Sequence, residues 1–348
     1  MSDNAKNRES EFFKSLPKVE LHRHLEGSIN LSTMLEIAKS HQLDLPYEDV
    51  AQFQPLVQVM DTDDYTFQNF LSKFASIRKF FQSPEVIKQI TREVIADAAA
   101  DNVRYLELRF TPVALTRIGG YPLGDAIDWV IEASDAASKE FGITTRLIAS
   151  VNRHESVELA EEVMQQAVAR MDRGVVALDL AGSENDFPGE EFAGIFSEAK
   201  DAGLAVTIHA GEWGGPEIIQ LAVDKLSAER IGHGVRVLED PDVTAMAKER
   251  QIVFEVCPTS NYQSGVITSL DQHPLVKMIE AGLQVTINTD DPGLSQITLS
   301  NEYQLACETL GLELPALRAS VLTAAQASFL PEKEKQPLVT SLEKELNS

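Results

Sequence analysis

Thr207-Ile-His-Ala-Gly-Glu212 ends an apolar, β-forming run with a histidine and sets a carboxylate three residues beyond it. The residues from Leu204 to His209 are typical of a buried strand, and the following glycine marks its end. A potential metal ligand at the carboxyl end of a buried strand is typical of the active-site face of an α/β barrel. A histidine satisfied within the core gives the same local pattern, so the interpretation depends on how the other strands end.

Seven further strands are predicted, and helical stretches lie between them. The eight strands are centred near residues 20, 106, 148, 178, 207, 231, 254 and 287. Strands that alternate with helices predict a parallel sheet, and eight such units closed on themselves form a (β/α)₈ TIM-type barrel in the α/β class. The alternative is an open doubly wound sheet, which usually has a glycine-rich phosphate loop after its first strand. Here that strand leads into His22-Arg-His24, which favours the barrel.

No low-complexity linker interrupts the sequence, so residues 1–348 are predicted to form a single barrel domain. Residues 42–81 are expected to be a helical insertion after the first strand, irregular over 42–62 and helical over Tyr65–Phe81. That helix carries an apolar stripe of Phe67, Phe70, Leu71 and Phe74. The stripe fits a lid over a substrate and also fits plain core packing. Further helices are predicted over about 306–348.

The composition favours a cytoplasmic protein that acts on a small neutral molecule. The formal net charge is −24, whereas a nucleic acid or an anionic membrane partner needs a basic surface. No apolar stretch is long enough to span a membrane, and residues 1–8 lack the apolar region of a secretory signal. Cys257 and Cys307 form neither a disulfide framework nor a metal-binding motif. The oligomeric state is left open.

Residues with metal-binding side chains are concentrated at the strand ends, which meet at one mouth of a barrel. They are His22 and His24 after strand 1, His209 after strand 5, His233 after strand 6, and Asp290 and Asp291 after strand 8. The other three of the seven histidines are assigned to the surface: His41, His154 and His273. This concentration indicates a functional cluster rather than histidines placed for packing.

Three imidazoles and one carboxylate suit a divalent ion such as Zn²⁺, with a further position left for water. A catalytic zinc ion lowers the pKa of its water toward roughly 7 and so supplies hydroxide at neutral pH. A binuclear site would call for a bridging ligand, often a modified lysine, near the end of strand 4. That end reads Asp179-Leu-Ala-Gly182, so one metal ion per chain is expected.

Six motifs along residues 17–305 resemble the adenosine deaminase family and occur in the family's order. They are Pro17-Lys-Val-Glu-Leu-His-Arg-His-Leu-Glu-Gly27, Leu180-Ala-Gly-Ser-Glu184, His209-Ala-Gly-Glu212, Arg230-Ile-Gly-His-Gly234, Cys257-Pro-Thr-Ser-Asn261 and Asn288-Thr-Asp-Asp-Pro292. The His-x-His pair alone is shared by many metal hydrolases, whereas the ordered set is specific.

The resemblance implies hydrolytic deamination of adenosine, and of 2′-deoxyadenosine, to inosine and ammonia. The zinc ligands that it implies are His22, His24, His209 and Asp290. Glu212 then protonates N1 of the purine while metal-bound hydroxide attacks C6, because a protonated N1 lets the ring accept electrons. A hydrophobic wall must keep that carboxyl protonated. His233 is expected to orient the hydroxide, or to support a ligand only.

The resemblance also implies the substrate contacts. Gly182 offers its backbone to purine N3, Asp291 accepts or shares a proton with N7, and His24 faces the substrate as well as the metal. Asp290 and Asp291 are adjacent in a segment expected to be extended, where neighbouring side chains point in opposite directions. One ligand and one substrate contact follow from that expectation.

Glu26 departs from the family pattern, since adenosine-specific members usually have aspartate there, facing the ribose 5′-hydroxyl. Relatives that deaminate adenine or aminodeoxyfutalosine often have glutamate at this position, so the same chemistry on another 6-aminopurine is the alternative. Residues 292–303 look more like the bacterial adenosine enzymes. A barrel that binds purine without turnover is a third hypothesis, and it would be expected to have lost the proton donor or a ligand, neither of which is missing.

Overall fold

The architecture is that of a computed structural model describing residues 10–347. Residues 1–9 lie outside the described part. The prediction that residues 1–8 are not a secretory signal falls on them. Residues 10–15 are helical and lead into the first strand. Among the described residues, no helix has the length and apolar character needed to cross a membrane.

Eight parallel strands form one sheet in chain order. They are β1 (Lys18–His24), β2 (Val103–Phe110), β3 (Thr144–Asn152), β4 (Val175–Ala181), β5 (Ala205–Ala210), β6 (Arg230–His233), β7 (Val253–Val256) and β8 (Gln284–Ile287). The two edges meet because the N–H of His24 donates to the carbonyl of Asp290 at 2.8 Å, and the N–H of Asp290 donates to the carbonyl of His22 at 3.0 Å. The predicted (β/α)₈ barrel is therefore confirmed.

Helices surround this sheet. They are α1 (Leu31–Ser40), α2 (Val50–Val57), α3 (Phe67–Ser72), α4 (Phe74–Ile77), α5 (Pro84–Ala100), α6 (Pro112–Thr116), α7 (Leu123–Phe141), α8 (Val157–Val168), α9 (Ala193–Ala202), α10 (Pro216–Lys225), α11 (Pro241–Glu249), α12 (Pro258–Gln263), α13 (Leu275–Glu280), α14 (Pro292–Ser295), α15 (Leu299–Glu308), α16 (Leu314–Ala327) and α17 (Glu332–Leu346). In α5, Ser83 caps the first turn and Ile87, Ile90 and Val94 are buried at helical spacing.

The insertion after β1 differs from its prediction in two ways. Residues 50–57 form α2 rather than irregular structure, because Asp49 caps the helix and Phe53 and Val57 are fully buried despite a proline in the last turn. The expected single helix over Tyr65–Phe81 is divided near Lys73 into α3, α4 and a 3₁₀ turn. The buried ammonium of Lys73 donates to the carbonyl of Pro55 at 2.7 Å, which ties the break to α2.

The strands have two different faces. In β2, the fully buried Leu106 and Leu108 alternate with Glu107 and Arg109. Arg109 donates across the barrel to Glu255 on β7 at 2.6 Å, so this second face lines the barrel interior. The interior is accordingly built from paired charges as well as apolar side chains.

Candidate active site and metal centre

Side chains from the carboxyl ends of β1, β5, β6 and β8 converge at one point. Nε2 of His24 lies 3.2 Å from Nε2 of His209 and 3.4 Å from Oδ1 of Asp290. Nε2 of His22 lies 3.3 Å from the same Asp290 oxygen. His233 belongs to the cluster too, since one donor atom each from His22, His209, His233 and Asp290 lies within 4.8 Å of the others.

The donor atoms fit a metal ion. Four ligands at about 2.1 Å from one ion in a tetrahedral arrangement lie about 3.4 Å from one another, which is close to the spacings of His24, His209, His22 and Asp290. Nε2 of His22 is buried and has no hydrogen-bond partner among the described residues. Burial also lowers the pKa of His24 well below its ordinary value, which keeps this imidazole neutral and able to ligate. The cluster could therefore hold a metal ion.

Two of the histidines are oriented by buried carboxylates. Nδ1 of His22 lies 2.8 Å from Oε2 of Glu255, and Nδ1 of His209 lies 3.0 Å from Oδ1 of Asp179. A carboxylate acceptor places the ring proton on Nδ1 and leaves the Nε2 lone pair facing the cluster, as is usual for metal-binding histidines. His233 has no carboxylate at this position, because its Nδ1 lies 3.1 Å from the side-chain amide nitrogen Nδ2 of Asn261.

Glu255 is the centre of a charge network beneath this cluster. Its carboxylate accepts from Arg109 and Arg230 at 2.6 Å each and from the hydroxyl of Thr207 at 3.1 Å, in addition to His22. Although burial opposes ionisation, Arg109 and Arg230 hold the pKa of Glu255 well below its ordinary value. The sequence alone did not predict this network. Charged residues inside otherwise apolar strands are the signal that indicates it.

Glu212 lies in the turn after β5, on the wall of the same site. Its carboxylate is buried and lies 3.6 Å from Nε2 of His233. Burial, together with Asp290, Glu184 and Asp291, raises the pKa of Glu212 well above its ordinary value. A shift in this direction favours the protonated carboxyl, which is able to donate a proton.

Glu184 fixes the backbone of that turn. Its carboxylate accepts from the amides of Gly211, Glu212 and Trp213 at 2.7, 3.0 and 3.2 Å. Glu184 belongs to the motif Leu180-Ala-Gly-Ser-Glu184, and the sequence alone gives it no role. These three bonds fix the backbone from which the Glu212 side chain extends.

A cavity of about 430 Å³ opens above the cluster and Glu212. His24, Glu26, Gly182, His209, His233, Asp290 and Asp291 all line it. Gly182 has φ of +106°, a conformation that side chains rarely adopt. Of the sequence-predicted site residues, only His22 lies beneath this surface rather than on it.

Asp290 and Asp291 were expected to point in opposite directions because their segment was predicted to be extended, and that reason is wrong. Asp290 has φ of +67°, so the backbone there is left-handed rather than extended, and both carboxylates line the cavity. They nevertheless lie in different places, because Asp291 packs against Gly27. A Cβ at Gly27 would stand 1.7 Å from Oδ1 of Asp291, so only glycine leaves that carboxylate its position.

Glu26 lines the cavity and has one oxygen without a hydrogen-bond partner among the described residues. Its Oε1 accepts from the amide of Thr111 at 2.7 Å, while the buried Oε2 has no partner among the described residues. Burial raises the pKa of Glu26 to about 7, against the lowering effect of the Thr111 amide. A group of this kind can accept or donate a hydrogen bond to a substrate hydroxyl.

The apolar stripe of the insertion contributes to the cavity lining as well as to the core. Phe70, Leu71 and Phe74 line the cavity, and the ring of Phe67 packs against Trp213 with centroids 4.6 Å apart. Leu71 remains 36% exposed. The stripe thus forms part of the cavity wall.

Of the histidines assigned to the surface, His273 is misplaced, whereas His154 is exposed as expected. His273 is buried and hydrogen-bonded to Asn261, which makes its surface assignment wrong. His154 is exposed and lines the cavity together with Arg78. Neither position has a local sequence signal, since only the fold brings His154 to the cavity and His273 to Asn261.

Comparisons with known proteins agree with this geometry. A family model described as adenosine deaminase matches residues 17–345. A protein named adenosine deaminase from Klebsiella pneumoniae (strain 342) is 36% identical over 330 residues, which are 95% of this chain and 98% of that one. The match identifies a family of enzymes that act on carbon–nitrogen bonds.

Three solved structures are similar over nearly their whole length. The adenine deaminase of Arthrobacter aurescens has a TM-score of 0.88 at 29% identity and covers 96% of this chain and 100% of that chain. An amidohydrolase from Burkholderia ambifaria with bound zinc has 0.88 at 28%, covering 97% and 92%. The Arabidopsis N6-mAMP deaminase has 0.86 at 33%, covering 96% and 99%.

Proposed function

The chain belongs to the adenosine deaminase family, and on that premise we propose that it hydrolyses adenosine and 2′-deoxyadenosine to the corresponding inosine and ammonia. The observation that carries this proposal is the buried carboxyl of Glu212, which lies on the cavity wall beside the histidine–aspartate cluster and whose raised pKa favours the protonated form. A proton donor next to a group of metal-ligand atoms suits hydrolysis at a ring carbon flanked by a basic nitrogen.

We assign His22, His24, His209 and Asp290 as the ligands of one Zn²⁺ per chain. The zinc bound to the Burkholderia structure supports this choice of metal, and the two carboxylate–histidine pairs support His22 and His209 as ligands. When bound, the ion lowers the pKa of water toward roughly 7 and makes hydroxide available at neutral pH.

The protein side chains then manage protons and orientation. As oxygen adds to C6, electron density moves to N1, and the Glu212 carboxyl gives its proton to that nitrogen. His233 orients the attacking oxygen. The amino group then takes up the proton of the hydroxyl added at C6 and leaves as ammonia, while the C6 carbonyl of the product forms. Burial and Asp290 raise the pKa of Asp291 well above its ordinary value, which suits a carboxyl that shares a proton with N7.

The remaining assignments concern the rest of the nucleoside. We place purine N3 at the backbone of Gly182 and the ribose 5′-hydroxyl at the free oxygen of Glu26. We further propose that residues 1–348 form one domain, that the apolar stripe of the 42–81 insertion acts as a lid over the sugar, and that the protein works in the cytoplasm. Cys257 and Cys307 are both free thiols, in keeping with a reducing compartment.

Ammonia release from a panel of 6-aminopurines tests the proposal. Chelation should abolish turnover of adenosine, and one equivalent of Zn²⁺ per chain should restore it, since the hydroxide depends on the ion. Adenosine and 2′-deoxyadenosine are expected to have the highest kcat/KM, above adenine and aminodeoxyfutalosine. A higher kcat/KM for adenine would shift the assignment to the free base, and the absence of ammonia from every member would refute the deaminase.

Arg78 favours a second candidate substrate, a purine nucleoside 5′-monophosphate. Arg78 lines the cavity together with Glu26 and His154, and its charge acts on both of them. Its guanidinium has no ion pair or hydrogen bond within residues 10–347, although its backbone N–H donates within the insertion. An unpaired cation in a chain of net charge −24 is suited to an anionic substituent. The similar Arabidopsis structure is that of an N6-mAMP deaminase.

The variant Arg78→Gln separates the two candidates. If Arg78 binds a 5′-phosphate, its loss should lower kcat/KM for AMP by about 10–100-fold, the value of one charge-assisted hydrogen bond. Turnover of adenosine should change by less than about threefold. Lys79→Gln is the matched control, because Lys79 is absent from the cavity lining and donates to the carbonyl of Asp44. Equal effects of Arg78→Gln on both substrates would contradict phosphate binding.

A further inference from the structure

Three buried side chains form a hydrogen-bonded row that leads into the active site. Nε2 of His273 lies 3.3 Å from Oδ1 of Asn261, and Nδ2 of Asn261 lies 3.1 Å from Nδ1 of His233. The far nitrogen of His233 faces Glu212 and Asp290 at 3.6 and 3.9 Å. The row connects the loop before α13, through the first turns of α12, to the end of β6.

A backbone amide sets the direction of every hydrogen bond in this row. The N–H of Leu275 donates to Nδ1 of His273 at 3.2 Å, so that nitrogen is an acceptor. Burial lowers the pKa of His273 to about 4, which leaves the ring neutral with one proton. That proton must lie on Nε2, and from there it is donated to Oδ1 of Asn261.

The side-chain amide of Asn261 sets the direction of the next hydrogen bond, to His233. With Oδ1 occupied as an acceptor, its NH₂ group points at His233 and donates to Nδ1. The reverse orientation of the amide would need His273 to accept at both nitrogens, which a neutral imidazole cannot do. Nδ1 of His233 is therefore an acceptor, and the ring proton of a neutral His233 lies on Nε2, facing the cluster.

We propose that Asn261 and His273 are positioning residues that hold His233 in its Nε2–H tautomer, so that His233 donates a hydrogen bond into the active site and is not a metal ligand. The contrast with His22 and His209 supports this reading, because carboxylates at their Nδ1 atoms leave Nε2 unprotonated. The proposal rests on the proposed deaminase function. The clustered side chains are five, and under this proposal His233 is the one histidine among them that does not bind the metal ion.

The strained backbone of His233 fits the same role. Its φ of +61° lies in the left-handed region, which residues with a side chain rarely adopt. Such a conformation persists where neighbouring contacts determine it. The bond from Asn261 is one such contact, and the ring of His22, with its centroid 4.8 Å away, is another.

Asn261→Asp tests the tautomer directly, since a carboxylate of nearly the same shape can only accept. It should accept from Nε2–H of His273 and from Nδ1–H of His233, which moves the His233 proton away from the site. In zinc-loaded protein with ¹⁵N-labelled histidine rings, two-bond ¹⁵N–¹H couplings should show His233 as Nε2–H in the wild type and with a proton on Nδ1 in the variant. His233→Gln assigns the signal.

Activity should follow the tautomer. For Asn261→Asp, kcat for adenosine is expected to fall by about 10²-fold or more, as for loss of a preorganised donor, with KM and one zinc per chain retained. His273→Leu should lower kcat at least about tenfold, because the side-chain amide of Asn261 is then free to flip and to present its oxygen to His233. His273→Gln should recover most of that loss, since its NH₂ group still donates to Asn261.

The outcomes separate this inference from the proposed function. An Nδ1–H signal for His233 in the wild type, or unchanged tautomer and turnover in Asn261→Asp, overturns it even where adenosine is deaminated. Equal activity of the two His273 variants also counts against it. If Asn261→Asp fails to fold, the wild-type couplings and the two His273 variants still decide. A wild type with Nε2–H but no ammonia release refutes the deaminase and leaves the row intact.

Discussion

Glu212→Gln is expected to lower kcat for adenosine by at least about 10²-fold, the usual contribution of a positioned proton donor. Glutamine keeps the shape of the side chain and cannot give up a proton to N1. Glu184 still holds the turn through the amides of residues 211–213, so the backbone should not move. Steady-state kinetics and metal analysis of the same preparation check both expectations, with one zinc per chain retained.

Glu217→Gln is the matched control for this variant. Glu217 is an exposed residue in the first turn of α10, and its loss removes the same charge five residues away. Its kcat should equal that of the wild type. Near-normal turnover in Glu212→Gln would remove Glu212 from the chemistry, and a loss of zinc in that variant would assign it to the metal site instead.

Glu255→Gln should destabilise the fold and weaken metal binding together. The carboxylate neutralises Arg109 and Arg230 in a fully buried place, and breaking a buried pair of this kind costs about 3–5 kcal/mol. The amide NH₂ group would also face N–H donors. Since Glu255 orients His22 through Nδ1, zinc affinity is expected to fall by about 10–100-fold.

The two effects need separate measurements. Urea unfolding of metal-free protein gives the loss in folding free energy without the stabilisation that a bound ion adds. Competition with a chelator gives the zinc affinity of the folded variant. Glu140→Gln is the control, because Glu140 pairs with Arg92 on the surface, and exposed pairs contribute little. Unchanged unfolding of Glu255→Gln would mean that the arginines find other partners.

The barrel and its mouth could be predicted because they depend on short-range patterns. Alternating strands and helices predict parallel pairing, and parallel strands bring their carboxyl ends together. For this reason His22, His209, His233 and Asp290 could be expected in one cluster from their places after strands, and the structure brings them within 4.8 Å. The motif order added the family, which the comparison over residues 17–345 shows.

Local errors arose where tertiary contacts overrode local preference. Residues 50–57 form a helix because Phe53 and Val57 are buried against the core. The prolines of this stretch predicted irregular structure, and they do not report the stability that this burial adds. Asp290 is left-handed because its amide and carbonyl close the barrel against β1. His273 was assigned to the surface from its loop context, and burial places it behind Asn261.

The sequence by itself determined the barrel, the cluster of ligand-type side chains and the presence of Glu212 beside it. Only the tertiary structure decided what each of these side chains is bonded to. His22 meets Glu255 across 233 positions of chain, and Arg109 meets it across 146. Hydrogen bonds of this range have no period and no fixed spacing, so the partners that set protonation and tautomer are visible only after folding. The orientation of His233 by Asn261 is of the same kind.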